Sequence, residues 1–148
     1  MTQTIYVPMH LLRGDPPAYA RKGDACIDLR WQPESADGAV QIAPGQCRVF
    51  ATGIALAIPV GWEGQVRPRS GLGVAGITVA NSPGTIDSGY RGEVKVALRN
   101  HGGTTHYVRP GDRIAQLAIR RAPHVELVLM GMLPGSERGS GGFGSTGR

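Results

Sequence analysis

The chain has 148 residues, one domain's worth, with 23 glycines, 11 prolines and a formal charge of +5. The positive surplus suits an anionic partner, either nucleic acid or a small polyphosphate. Aromatic residues make up only 5% and the basic residues are dispersed, which disfavours nucleic-acid stacking platforms and favours a small phosphate ligand.

Short apolar runs recur along the chain, and no long amphipathic helix interrupts them. Strands are predicted at Ile5–Val7, Ile27–Trp31, Val40–Ala43, Arg48–Ile58, Gln65–Arg67 and Ile77–Ala80. The series continues at Glu93–Arg99, His106–Arg109, Arg113–Arg120 and Val125–Met130. Turn residues separate many of them, as at Pro44-Gly45, Pro59-Val60-Gly61 and Pro110-Gly111-Asp112. Only Ser70–Ala75 reads as a short helical turn. The pattern predicts an all-β sandwich or barrel of short strands.

From Gly131 the composition changes, with seven glycines between Gly131 and Gly147 and little apolar content apart from Phe143. Such a segment cannot offset its own ordering entropy. It reads either as a disordered terminus or as an arm that orders over a ligand. Arg138 and Phe143 supply a phosphate-binding fork and one ring for the second reading. The expected division is a β domain over 1–134 and a flexible glycine-rich C-terminal arm over 135–148.

Cys26 and Cys47 are the only cysteines, and no CxxC or Cys/His spacing suggests a metal. They are expected to be buried thiols. The N-terminus lacks a charged start followed by an apolar run, and no stretch approaches a membrane span. The expectation is a cytoplasmic protein with neither a membrane nor a nucleic-acid partner.

The most informative stretch runs from Asn81 to Glu93. Pro83-Gly84 is turn chemistry, and Ile77–Ala80 and Val94–Leu98 on either side read as strands. This predicts a β-hairpin with Asn81, Asp87 and Tyr90 near its tip. From these residues alone, an ordinary hairpin with a surface Asp and a packing Tyr is an equal alternative.

The rest of the chain adds four further motifs: Ala25-Cys26-Ile27-Asp28-Leu29, Pro68-Arg69-Ser70-Gly71-Leu72, Gly111-Asp112-Arg113-Ile114-Ala115-Gln116-Leu117 and the segment Arg138–Gly147. With the Asn81–Glu93 stretch as the third, the set resembles the five ordered motifs of the trimeric deoxyuridine triphosphate nucleotidohydrolases (dUTPases). The resemblance implies a jelly-roll-like fold and a homotrimer with sites shared between subunits. It implies hydrolysis of dUTP to dUMP and pyrophosphate by water attack on the α-phosphorus, limiting uracil incorporation into DNA and supplying dUMP.

By that resemblance Asp87 contacts the sugar 3′-hydroxyl and orients or deprotonates the water. Tyr90 lies on the sugar face, and Asn81 reads the uracil edge. Arg69, Ser70 and Gly71 hold phosphate. Gln116 reaches a phosphate or the water. Arg138 pairs with the terminal phosphate and Phe143 stacks on the base. Mg²⁺ is expected on the triphosphate, with Asp28 near it through water.

The chain departs from the family pattern at Cys26, where glycine is usual, and at Trp31, where a small residue is usual. The loop after Ser70 is also shorter. One rival reading is a dCTP deaminase of the same fold, which needs a glutamate where this chain has Ala97. Another is a non-catalytic nucleotide binder.

Overall fold

Strict alternation of buried and outward residues shapes Glu93–Asn100, the strand at the centre of the core. The structure, a computed structural model, describes residues 4–35 and 38–142. In chain order its elements are β1 (Met9–Leu11), β2 (Ile27–Arg30), β3 (Val40–Ile42), β4 (Cys47–Leu56) and β5 (Trp62–Arg67). They continue with α1 (Ser70–Val74), β6 (Ile77–Val79), β7 (Gly84–Ile86), β8 (Glu93–Asn100), β9 (His106–Val108) and β10 (Arg113–Arg121). Along β8, Val94, Val96, Leu98 and Asn100 are buried while Lys95 and Arg99 face solvent. That is the period of two expected of a strand with one face in a core.

Two four-stranded antiparallel sheets result, ordered β1-β4-β8-β6 and β2-β10-β5-β7, with a two-stranded ribbon of β3 and β9 beside them. The first sheet contributes Phe50, Ile54, Leu56, Ile77, Val79, Val94, Val96 and Leu98 to the core. The second contributes Leu29, Val66, Ile86, Ile114, Ala115 and Leu117. Trp31 meets Phe50 edge-on, with ring centroids 5.3 Å apart. The jelly-roll-like all-β expectation therefore holds, and α1 falls inside the predicted Ser70–Ala75 turn. No helix is long and apolar enough to cross a membrane among the described residues.

The structure corrects several elements. Ile5 and Val7 alternate with exposed Tyr6 as a strand would, but they join no ladder. Pairing begins at Met9↔Leu56, after Pro8, whose ring nitrogen has no proton to donate. Val125–Met130 is not a strand: its apolar residues join no ladder among the described residues, and Leu127 and Leu129 lie in the open. Neither cysteine is buried. Cys26 is half-buried and Cys47 exposed, because the first three residues of β4 lie outside the core.

The expected hairpin is a crossover. β6 and β8 do pair, with Val79 opposite Leu98. Between them, however, β7 leaves for the other sheet and pairs with β5, Gln65 opposite Thr85. This route carries Asp87 and Tyr90 to the boundary between the sheets.

Asn100 closes β8. Its Nδ2 donates to Ile42 O and Thr104 O, each at 2.8 Å, and its Oδ1 accepts from Gly102 N–H at 2.8 Å. The side chain thus ties the β3–β9 ribbon to the sandwich. Asn100→Ala leaves a buried carbonyl without its donor. The expected loss is about 2–4 kcal/mol of stability, read from urea unfolding midpoints; a loss within about 0.5 kcal/mol would show that these bonds are replaced by water.

Candidate active site

Three sequence motifs converge on one groove. Strand β10 lies between β2 and β5, so that Gln116 pairs with Asp28 on one side and Arg67 on the other. Paired residues share a face, and this face turns away from the core occupied by Leu29 and Leu117. The groove, about 680 Å³, is lined by Arg21, Asp28, Arg69, Ser70, Gln116 and Arg113, among others. Gln116 donates from Nε2 to Pro68 O at 2.9 Å, which anchors the loop leading into α1. Ser70 and Gly71 then open that helix at the groove wall.

Asp28 is held by two cations. Arg69 Nε reaches its Oδ1 at 3.1 Å, and an Arg113 terminal nitrogen reaches its Oδ2 at 3.3 Å. Both carboxylate oxygens are thereby occupied, and the two guanidinium groups stand side by side at the groove. Among the described residues no three His, Cys, Asp or Glu side chains gather as a metal would require. This donor set holds arginines, and it does not fit a protein-built divalent-cation cage.

The crossover residues form a second group, outside the lining of the groove. Asp87 follows β7 directly and is exposed. Tyr90 N–H donates to Asp87 O at 3.0 Å, closing a tight turn. The Tyr90 hydroxyl donates to Glu93 O at 2.9 Å. Asn81 lies over Gly84, where an added Cβ would stand 3.2 Å from Asn81 Nδ2. Arg138 sits apart in an exposed turn and donates from Nε to Gly141 O at 3.0 Å. Phe143 lies outside the described residues.

The chain as a whole matches a known family. The dUTPase family model covers residues 13–147. The chain belongs to the dUTPase family. Its relatives include the deoxyuridine 5′-triphosphate nucleotidohydrolases of Anaeromyxobacter sp. (strain Fw109-5), 54% identical over 140 residues and 92% of both chains, and of Syntrophotalea carbinolica, 50% identical over 132 residues and 88% of both chains. Among solved structures, Staphylococcus bacteriophage 80alpha dUTPase with dUPNHPP aligns at a TM-score of 0.85 and 26% identity, covering 98% of this chain and 100% of that one.

Sequence reasoning about this dUTPase-family chain passed over Arg113, Arg13 and Glu93 as site residues. Arg113 was visible only as part of the fourth motif. Arg13 and Glu93, 80 positions apart, carried no signal that they meet. In the fold, the Arg13 guanidinium pairs with the Glu93 carboxylate, which also accepts from Gly53 N–H at 2.8 Å.

Burial pushes the Glu93 carboxyl up, but the Arg13 hydrogen bond, the Gly53 N–H and the charges of Arg13 and Lys95 outweigh it, leaving the group below its ordinary 4.5. A lowered folded-state pKa contributes stability that is complete above the unfolded value and is lost as pH falls through the folded one. Wild type should therefore melt above Glu93→Gln at about pH 7. The gap should persist to about pH 5 and close on further acidification. A gap that closes between about pH 7 and 6 would assign it to another group.

Proposed function

We propose that this chain hydrolyses dUTP to dUMP and pyrophosphate, with water attacking the α-phosphorus. The observation that carries the reading is the dUTPase match across residues 13–147. The chain is a dUTP diphosphatase. Its reaction limits uracil incorporation into DNA and supplies dUMP for thymidylate synthesis.

The triphosphate takes the groove. Arg69, Ser70 and Gly71 contact phosphate, and Arg113 adds a second guanidinium beside Arg69. Planar guanidinium forks suit phosphate oxygens. Arrival of the anion gives both arginines a partner in place of Asp28. Gln116 holds the loop before α1 in register and lies within the same lining. Mg²⁺ carried by the triphosphate itself would supply further charge neutralisation, and Asp28, once released, could meet its water shell.

Asp87 orients the water and takes its proton, since an ionised carboxylate only accepts hydrogen bonds. Tyr90 lies against the deoxyribose and leaves no room for a 2′-hydroxyl. Asn81 reads the uracil edge. Residues 135–148 act as an arm over the bound nucleotide, with Arg138 on the terminal phosphate and Phe143 stacked on the base. Ordering such an arm costs entropy, so its closure is marginal and reversible.

The working unit is a homotrimer with shared sites. Two observations support this. Asp87 and Tyr90 stand outside the lining of the phosphate groove of their own chain. The segment from Val125 to Leu133 also exposes a row of apolar side chains, with Leu129 fully exposed. A neighbouring copy would cover such a row.

Asp87→Asn should lower kcat by roughly 10²–10⁴ while KM changes little, because the phosphate contacts remain; near wild-type turnover would remove Asp87 from the mechanism. Co-refolding Asp87→Ala with Arg138→Ala protein should restore part of the activity that neither has alone, and light scattering should give a trimer mass. A fully active monomer would sink the shared-site arrangement.

A further inference from the structure

Tyr90 is about half exposed, 45%, so packing alone does not hold its ring. Two local features do. Its hydroxyl donates to the main-chain carbonyl of Glu93. Gly92 supplies the space: a Cβ there would stand 2.5 Å from the Tyr90 hydroxyl oxygen and 2.7 Å from Cζ. The position of the ring therefore depends on where the backbone of Glu93 lies.

That backbone is set by a convergence of three chain segments. The β4–β8 ladder runs regularly from Cys47↔Arg99 to Ala51↔Lys95, then shifts register before Ala55↔Glu93. Gly53 occupies the irregularity with φ +74°. A bulge of this kind re-aims backbone groups that a regular ladder would use up. Gly53 N–H points at the Glu93 carboxylate, and Gly53 O accepts from Leu12 N–H at 2.7 Å and Arg13 N–H at 3.2 Å. An added Cβ at Gly53 would lie 2.4 Å from Arg13 O, so only glycine fits.

Arg13 closes the arrangement. Its guanidinium pairs with Glu93, and its Nε donates to Gln32 O at 2.9 Å. Thr52 Oγ1 donates to Val94 O at 2.6 Å from the other flank. The side chains of Arg13 and Glu93 are only 24% and 13% exposed, so this ion pair is sheltered from the screening that weakens surface pairs.

We infer that Arg13 and Glu93 are positioning residues for sugar selection: the Arg13–Glu93–Gly53 clasp fixes the start of β8 and, through the Glu93 carbonyl, holds the Tyr90 ring where it excludes a ribose. This rests on the reading that Tyr90 faces the sugar. A ring displaced by a fraction of an ångström leaves the phosphate groove intact but admits a 2′-hydroxyl. The effect should therefore fall on the choice between dUTP and UTP.

The test compares kcat/KM for dUTP and UTP in wild type, Arg13→Met, Arg13→Lys, Glu93→Gln and Tyr90→Phe, with melting temperatures alongside. Arg13→Met should lower the dUTP/UTP ratio by roughly tenfold, within the range that small misplacements produce. Arg13→Lys, which keeps the charge, should recover part of the preference and serves if the Met variant folds poorly. Tyr90→Phe cuts the link from ring to clasp, so combining it with Arg13→Met should lower the ratio no further than the larger single effect.

A wild-type ratio retained in Arg13→Met, Arg13→Lys and Glu93→Gln, with only melting temperatures lowered, would make the clasp purely structural and overturn the inference alone. A wild type with no preference for dUTP would overturn the reading of Tyr90 and this inference with it.

Discussion

Pairing of β4 with β8 supports both the core and the candidate active site. The three inward apolar residues of β8, Val94, Val96 and Leu98, join the core between the sheets, whose burial favours folding. The two ends of the same strand carry polar locks. Asn100 binds the β3–β9 ribbon at one end. Glu93 receives Arg13 and the Gly53 N–H at the other. A strand fixed at both ends and along its length can hold the crossover at its entrance rigidly. That entrance is where Asp87 and Tyr90 lie.

The two halves of the candidate site follow from different physics. The groove is made by register: Asp28, Gln116 and Arg67 lie in one row across β2, β10 and β5 because antiparallel partners share a face. The crossover is made by chain route, since β7 must change sheets between β6 and β8. In the proposed mechanism, placing base and sugar recognition on the crossover and phosphate recognition on the row separates selectivity from anion binding. Changes in one group can then leave the other in place.

Much of the fold was legible because β8 alternates plainly and because β4 and β10 are long apolar-rich runs bounded by turn residues. β7 was missed because Gly84-Thr85-Ile86 is too short to show a period and follows Pro83-Gly84, where turn chemistry dominates the local signal. Val125–Met130 misled for the opposite reason. Its pattern is a good strand pattern, yet a strand needs an edge to pair with, and sequence does not say which edge is free. At the site, the motifs drew attention to Asp28, Arg69 and Gln116 but not to their mutual contacts. That Asp28 holds two arginines could be read only from the fold. The pairing of Glu93 with Arg13 was illegible for the same reason, since ion pairing across 80 positions leaves no local periodicity.

The state of Asp28 bears on how the groove can bind strongly without being locked. Two guanidinium groups close together repel each other and are costly to partly bury without a counter-charge. Asp28 supplies that charge and holds both forks facing the groove, where they need little reorganisation to meet a phosphate. The gain on binding is then the difference between phosphate and carboxylate as partners. It is not the whole interaction of a bare arginine pair with an anion. That difference is moderate, because both partners are anions that accept in the plane of the fork. In the proposed mechanism, a site arranged in this way favours the triphosphate and still lets pyrophosphate depart, with Asp28 ready to take the arginines back as the product leaves.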